Sequence, residues 1–419
     1  MRRKAFHRVR GPRTTAPRAA RELRLPRFIG LPDGVDASAV LGGLRIVIVA
    51  CGAIGRAFAV ALARLQPAEM RLIDQGHYKR ESLNTQAISP TDIGKPKASS
   101  TGRLVKSIHP DIEVLVYDGP VADLPDDAFL GCDLVFLSSD NIPGEIEVSR
   151  RCALLGVPLL QGAVYGDALF GSLRFILNRG DGPCLVCHYG AEEWSAAHGS
   201  VRWSCDGALR GDQSPLVTTA PTMSVAGLSS LVANLALLLV IRRVLGLGEP
   251  LEDSQVDFCA YTNELVTSPL HRNPDCPADH LPCEQRTLPR PLGDFTPREL
   301  AKTAGFPERV SEGPLSFRVG RLSFATDASC GCAEPRPLNR FIAPGPSKRR
   351  CETCGERFRV PPPPGPLIPS VAVQALRAVL DRPLRDLGAH SARFAVLRDN
   401  QRAVFLTRNG SQDTRRETP

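Results

Sequence analysis

The sequence predicts an α/β protein built on a doubly wound, mainly parallel sheet. Three observations carry that reading. Leu44–Val49 is a β-branched run with the pattern of a buried strand, and glycines follow it at Gly52 and Gly55. Ile54 to Leu65 then shows helical apolar spacing, closed by Gln66-Pro67. Met70–Ile73 is a second strand, ending in Asp74. Strand, tight glycine turn, helix and strand make a βαβ unit, which places a Rossmann-like parallel sheet in the first half of the chain.

The following segments extend that sheet. Glu113–Tyr117 reads as a strand, as does Leu134–Leu137, which runs into Ser138-Ser-Asp140-Asn141. A helix is expected around Glu145–Leu155, a strand starting at Pro158–Gln161, and an antiparallel strand over Phe170–Leu177. Residues 216–241 carry no charge over 26 positions, which satisfies the length of a membrane span. Pro221, the early threonines and Asn234 confine the helix to about 224–241, so a buried core helix is the better reading and no membrane is expected. Beyond residue 285 the texture changes. Thr296-Pro-Arg-Glu299 fits a capping box with Pro at the first helical position, predicting a short helix to about Ala304. Residues 370–408 read as a small αβ segment, a helix followed by two strands.

Composition bounds the classes. A chain of 419 residues exceeds one core, so a large domain with smaller units is expected. Hydrophobic content of 42% with 23% charge excludes a disordered, collagenous or multi-spanning protein. The net charge of +8 is uneven: residues 1–30 hold ten Arg/Lys against one Glu, leaving the remainder close to neutral. The charge therefore belongs to an arm, read as a solvated tail, and a nucleic-acid partner is not expected. That arm lacks the apolar segment of a secretory signal, so a cytoplasmic location is expected. The short pairs among the 13 cysteines then read as metal sites or reactive thiols rather than disulfides.

Candidate sites follow. The turn Ala50-Cys-Gly52-Ala-Ile-Gly55 keeps two glycines of a dinucleotide fingerprint, but has Ala50 where the first belongs. Gly52 and Gly55 permit close approach of a phosphate to a helix N-terminus. Asp74, 22 residues after Gly52, is placed to bind a ribose hydroxyl. Cys184-x-x-Cys187 is half of a structural zinc site. Cys330-Gly-Cys332, 18 residues, then Cys351-Glu-Thr-Cys354 is close to a zinc ribbon, with Gly355 suited to a knuckle turn. The rival arrangement has Cys351 and Cys354 completing the Cys184/Cys187 site. Cys51, Cys132, Cys152 and Cys259 read as inert packing.

The segment Asp74-Gln-Gly-His-Tyr-Lys-Arg-Glu-Ser-Leu-Asn84-Thr85-Gln86, with Asp92-Ile-Gly94-Lys-Pro-Lys97 and the strand ending at Asp140-Asn141, resembles the adenylyltransferase family that includes ThiF, MoeB and the ubiquitin-activating enzymes. The resemblance continues through Gly182-Pro-Cys184 and Thr218-Thr-Ala-Pro, and covers about residues 25–285. It implies ATP-dependent adenylation of the C-terminal carboxylate of a ubiquitin-like or sulfur-carrier protein ending in Gly. It implies Asp74 for ribose, Asn84 and Gln86 for nucleotide contacts, Lys97 for phosphates and Asp140 for Mg2+. It also places the second half of the zinc site after the long helix, at Cys276 and His280, with Cys283 as the alternative. In relatives that form a thioester, a cysteine precedes the Thr/Pro motif; Cys205 stands there and is the candidate nucleophile. Thr85 replaces an Arg that reaches the phosphates across a homodimer, and Ser82 replaces an Asn. Thr85 and Ala50 keep open a scaffold that binds such a protein without adenylating it, while a nicotinamide enzyme would rest on the glycine turn alone.

The implied organisation is a basic arm (1–26), an adenylation domain (27–285), an accessory segment with the second Cys cluster (286–360), a Pro-rich linker (361–369), an αβ segment (370–408) and a tail (409–419). The αβ segment is a candidate for recruiting a downstream conjugating enzyme, or a packing cap.

Overall fold

A computed structural model of the chain describes residues 5–11, 25–191, 193–194, 225–249, 252–306, 315–328, 336–342, 351, 353–356 and 370–408. It divides into two compact units, Met1–Leu124 with Gly131–His280, and Pro125–Leu130 with Leu281–Pro419.

The first unit is built on one sheet. Its strands are β1 (His7–Arg8), β2 (Arg45–Val49), β3 (Glu69–Asp74), β4 (Glu113–Asp118), β5 (Leu134–Leu137), β6 (Leu159–Tyr165), β7 (Phe170–Ile176), β8 (Ser254–Cys259) and β9 (Glu264–Pro269). The spatial order is β1-β4-β3-β2-β5-β6-β7-β8-β9. β4 through β6 in that order are parallel, and β7, β8 and β9 add on antiparallel. Its helices include α1 (Ala37–Gly43), α2 (Ala53–Ala63), α3 (Ser82–Thr85), α4 (Lys97–Ile108), α5 (Ile142–Leu155) and α6 (Ala226–Leu245).

Strand alternation decides which side chains meet which helices. Ile46, Ile48, Met70 and Leu72 point into one cluster with Phe58 and Leu62 of α2 and Val232 and Ala236 of α6. Phe58 stacks on Phe136 of β5, with ring centroids 4.0 Å apart. Helix α6 is long and apolar enough to cross a membrane by length and composition, yet Val232, Ala233, Ala236 and Val240 are buried in this core. The chain order inverts between β2 and β5, and both strands end there on the same side.

One element was not expected. His7 and Arg8, inside the segment read as a solvated arm, pair antiparallel with Val116 and Leu115 at the edge of the sheet. Val9 is buried and donates its N–H to the Val114 carbonyl at 2.9 Å. Arginine and histidine suit a strand whose outer edge faces water, so charge alone hid it.

The second unit has its own core. Strands β10 (Cys283–Thr287), β11 (Ser316–Val319), β14 (Val371–Ala372), β15 (Phe394–Arg398) and β16 (Ala403–Thr407) form a sheet in the order β10-β16-β15-β11-β14, and β12 (Ser323–Ala328) pairs with β13 (Arg336–Ile342). Helix α7 (Pro297–Thr303) has the expected capping box: Thr296 Oγ1 accepts from Glu299 N–H at 3.1 Å, and Glu299 Oε2 accepts from Thr296 N–H at 2.9 Å. Pro125–Leu130 belongs to this unit, and its fully buried Asp126 accepts from Arg318 at 2.7 Å. The segments 286–360 and 370–408, expected as separate parts, share the first of these sheets. The helix expected early in 370–408 is a 3-10 stretch, Val373–Val379. Its buried residues, Val373, Leu376 and Val379, recur every third position, which suits three residues per turn rather than 3.6. The tail, 409–419, lies outside the described residues.

Candidate functional site

In an open parallel sheet, ligands bind at the carboxyl ends of the strands where the chain order reverses. That point lies between β2 and β5, and the glycine turn and Ser138–Asp140 both stand there. The turn is held by backbone. Ala50 N–H donates to the Ile73 carbonyl at 2.8 Å, and Cys51 N–H to Asp74 Oδ2 at 2.6 Å. A Cβ on Gly55 would fall 1.9 Å from the Ala50 carbonyl oxygen, so no other residue fits beneath this turn. Among the described residues a Cβ on Gly52 would meet nothing within 4 Å, so the N-terminus of α2 is open to a ligand on that side. Ala50 itself has φ +70°, the left-handed region where glycine is at ease. The fingerprint's missing glycine is thus a conformational requirement that Ala50 meets under strain.

Asp74, at the end of β3, spends one lone pair of each oxygen on backbone, accepting from Cys51 N–H and from Gly76 N–H, both at 2.6 Å. Each oxygen keeps a second lone pair for a hydroxyl. Burial pushes its carboxyl above the ordinary range, the Lys97 ammonium pulls it back down, and Asp140 adds a like charge. Asp74, Lys97 and Asp140 therefore share one electrostatic site. Lys97 opens α4, its own N–H donating to the Gly76 carbonyl at 2.9 Å. Asp140 is exposed just past β5. Asn84 is exposed on α3, and Gln86 follows it with Oε1 buried and, among the described residues, without a partner.

Sequence reasoning missed Arg56, in the first turn of α2, which is buried and donates to the Ala87 carbonyl, the Tyr78 hydroxyl and Thr101. A lone arginine in a helix has no spacing to betray it. Glu145, in the first turn of α5, was also missed. Burial pushes its carboxyl up to about 6, against hydrogen bonds from Tyr189 and Gln161 that lower it.

The cysteine pair completes a second site. Cys184 Sγ lies 3.8 Å from both Cys187 Sγ and Cys276 Sγ, and His280 Nε2 is 3.5 Å from Cys184 Sγ and from Cys187 Sγ. A tetrahedron with Zn–S near 2.3 Å and Zn–N near 2.0 Å sets neighbouring ligands about 3.5–3.8 Å apart, so this donor set fits zinc. His280 Nδ1 lies 3.1 Å from the Gly182 carbonyl, the outer contact that turns Nε2 toward a metal. Cys276 and His280 occupy the places that the rival gave to Cys351 and Cys354, and Cys283 is not in the cluster. Cys351 and Cys354 stand on a turn closed by Gly355, at φ +70°, with Gly355 N–H donating to the Cys351 carbonyl at 2.9 Å. Cys330, Cys332, Cys205 and Thr218-Thr219 lie outside the described residues. Cys51, Cys132 and Cys152 are buried, and burial raises all three thiols.

A doubly wound sheet with a phosphate-ready turn at its switch point and a Cys3His knuckle beyond it defines a nucleotide-binding class of α/β protein. The ThiF family model matches residues 21–278, and the chain belongs to that family of E1-like adenylyltransferases. It is similar to the SAMP-activating enzyme E1 of Haloferax volcanii, 26% identical over 239 residues, 56% of this chain and 79% of that protein. It is similar to the sulfur carrier protein adenylyltransferase of Thermus thermophilus, 25% identical over 285 residues, 66% of this chain and 93% of that protein. Against the adenylyltransferase and sulfurtransferase MOCS3 of Mus musculus it is 28% identical over 183 residues, 42% of this chain and only 39% of that protein. Among solved structures it is similar in fold to E. coli MccB with ATP, with a TM-score of 0.46 and 19% identity over 58% of this chain and 68% of that one.

Proposed function

We propose that this chain activates a ubiquitin-like or sulfur-carrier protein by adenylating its C-terminal glycine carboxylate with ATP. The observation that carries the reading is the meeting of the glycine turn, Asp74, Lys97 and Asp140 at the switch point of the sheet. The likeness to a SAMP-activating enzyme of Haloferax and a sulfur carrier protein adenylyltransferase of Thermus supports the substrate class.

The chemistry asks little of the protein beyond placement and charge. The attacking carboxylate is ionised at neutral pH, so no base is needed. Attack on the α-phosphate expels pyrophosphate and leaves an acyl adenylate on the carrier. Gly52 leaves the helix end open to phosphate, Asp74 keeps lone pairs for ribose, and Asn84 and Gln86 offer amide groups to the nucleotide. Lys97 brings a cation to the phosphates, and Asp140 is the residue that would hold Mg2+, which supplies charge neutralisation when bound. Cys184, Cys187, Cys276 and His280 would hold zinc in a structural role. Cys205 is the candidate to receive the acyl group as a thioester. Exposed Leu231 and Leu238 on α6, with Tyr261, Leu265 and Val266 near the β9 edge, support a homodimer, which sedimentation velocity decides.

The second reading, a scaffold without adenylation, is favoured by Thr85, which leaves the phosphates without a fixed charge from that position. ATP–pyrophosphate exchange with the cognate carrier separates the two. Exchange should be present in the wild type, fall at least about a hundredfold in Lys97→Ala and Asp140→Ala, and persist in Cys205→Ala. Exchange that survives both charge-removing variants removes the proposed site; no exchange in the wild type favours the scaffold.

A further inference from the structure

Arg56 follows Gly55 in the first turn of α2 and is only 5% exposed. A guanidinium buried this far is ordinarily matched by a carboxylate. Here its acceptors are neutral: Nε donates to the Ala87 carbonyl at 2.9 Å, and Nη1 to the Tyr78 hydroxyl at 3.0 Å and to Thr101 Oγ1 at 3.3 Å. The guanidinium carbon also lies 5.3 Å from the centroid of the Tyr78 ring. The Tyr78 hydroxyl sits 3.2 Å from Thr101 Oγ1 and 3.5 Å from the Cys51 carbonyl.

Each of those partners belongs to a different element of the nucleotide site. Cys51 is in the glycine turn. Tyr78 lies in the loop that leaves Asp74. Thr101 is one turn along α4 from Lys97. Ala87 follows Gln86, whose Oε1 is buried and has no partner among the described residues. The segment from Asn84 to Ala87 has no strand or long helix to hold it, and Thr85 brings no charge of its own. A planar fork that donates in two directions can fix it against α2 and α4 at once.

We propose that Arg56 is a positioning residue of the nucleotide site, tying the glycine turn, the Asn84–Gln86 segment and the Lys97 helix into one arrangement through the reach of its guanidinium. The inference rests on the nucleotide reading above. It predicts that a cation without the fork does not suffice.

The test compares the full chain, zinc-loaded, with Arg56→Lys and Arg56→Met, titrating MgATP by calorimetry. Both variants should bind MgATP about tenfold more weakly, the loss expected from one or two charge-assisted hydrogen bonds. In pyrophosphate exchange the KM for ATP should rise by about the same factor, with kcat changed less than about threefold. Without nucleotide, amides of residues 84–89 should exchange hydrogen faster in both variants. Wild-type affinity in Arg56→Lys would show that charge alone is needed and overturns the proposal, as would unchanged exchange over 84–89. If Arg56→Met does not fold, Thr101→Val removes one acceptor at constant shape; it should weaken MgATP about threefold, and unchanged affinity overturns the tie. A wild-type chain that binds no MgATP overturns the nucleotide reading and this role with it. Faster exchange over 84–89 in Arg56→Lys would then mark Arg56 as a structural tie alone, so the two failures are told apart.

Discussion

The glycine-turn site and the cysteine knuckle are assembled in opposite ways. The turn is made of backbone: amides of Cys51 and Gly76 hold Asp74, and the Ala50 carbonyl fills the space that a Gly55 side chain would need. The knuckle is made of side chains from two segments, with Cys184 and Cys276 separated by 92 positions. The first is in place before any ligand arrives. The second crowds three thiols and an imidazole: burial holds the Cys276 thiol above its ordinary range, while a hydrogen bond with Cys184 holds the Cys187 thiol below its own, so without an ion protons and charge must share the cluster. A metal reverses that balance by taking thiolates as ligands.

The largest expected effect follows from that difference. Cys184→Ser or His280→Ala should lower zinc by about one ion per chain and drop the thermal midpoint by about 10 °C or more, since a structural zinc site contributes folding energy outright. Cys283→Ser should leave the zinc content unchanged, because Cys283 lies in the other unit. Elemental analysis with thermal unfolding reads both. Zinc retained in the His280 variant but lost from the Cys283 variant would reverse the ligand assignment. MgATP binding should suffer less than stability does, and an equal loss of both would break the contrast between a preformed turn and a metal-closed knuckle.

What was legible in the sequence follows the same division. β2, β3, β4 and β5 were readable because a strand buried on both faces is a run of apolar residues whatever its surroundings. The Cys184 pair was readable because metal geometry restricts spacing. His280 and Cys283 are alternatives at the level of sequence, since both follow Cys276 closely and only the fold tells which turns back toward Gly182. Arg56 and Glu145 were not readable: each acts through contacts with residues far along the chain, which no local pattern records. β1 was hidden by its charge, because pairing of its backbone rather than burial of its side chains makes it a strand. The 3-10 stretch was read as a helix because apolar periods of three and 3.6 are indistinguishable over two turns.

Glu145 joins the two regions and gives the intermediate effect. It follows Asn141, the N-cap of α5, just past Asp140, and accepts a hydrogen bond from the hydroxyl of Tyr189, two residues beyond Cys187. Burial raises its folded pKa from 4.5 to about 6. Between those values the native state holds more proton than the unfolded chain, so this group's contribution falls as pH rises through about 6. At neutral pH the ionised carboxyl costs up to about 2 kcal/mol. Glu145→Gln keeps an acceptor for Tyr189 and carries no charge. It should be more stable than wild type at pH 7.5 by up to that amount, and about equal to it near pH 4.5. Urea unfolding at the two pH values, in excess zinc, measures this. A variant that keeps the wild-type pH slope would show that Glu145 is not the titrating link between the turn and the knuckle.

The smallest effect concerns Ala50. An alanine in the left-handed region costs about 1–2 kcal/mol, and replacing it with glycine loosens the unfolded chain by about 0.4–1 kcal/mol. Ala50→Gly should therefore stabilise the chain by roughly 0.5–1 kcal/mol, read as a higher urea midpoint at unchanged m-value. MgATP affinity should stay within about twofold, because the methyl group takes no part in the hydrogen bonds that hold the turn. The turn already has its left-handed shape with alanine in place, φ +70°, and the Ala50 carbonyl already packs on Gly55. The departure from the glycine fingerprint is then a matter of stability and does not argue against a nucleotide at this site. A destabilised Ala50→Gly would mean that no strain is stored there. A large gain in affinity would mean that alanine distorts the turn, and the contrast between a preformed turn and a ligand-dependent knuckle would have to be given up at that residue.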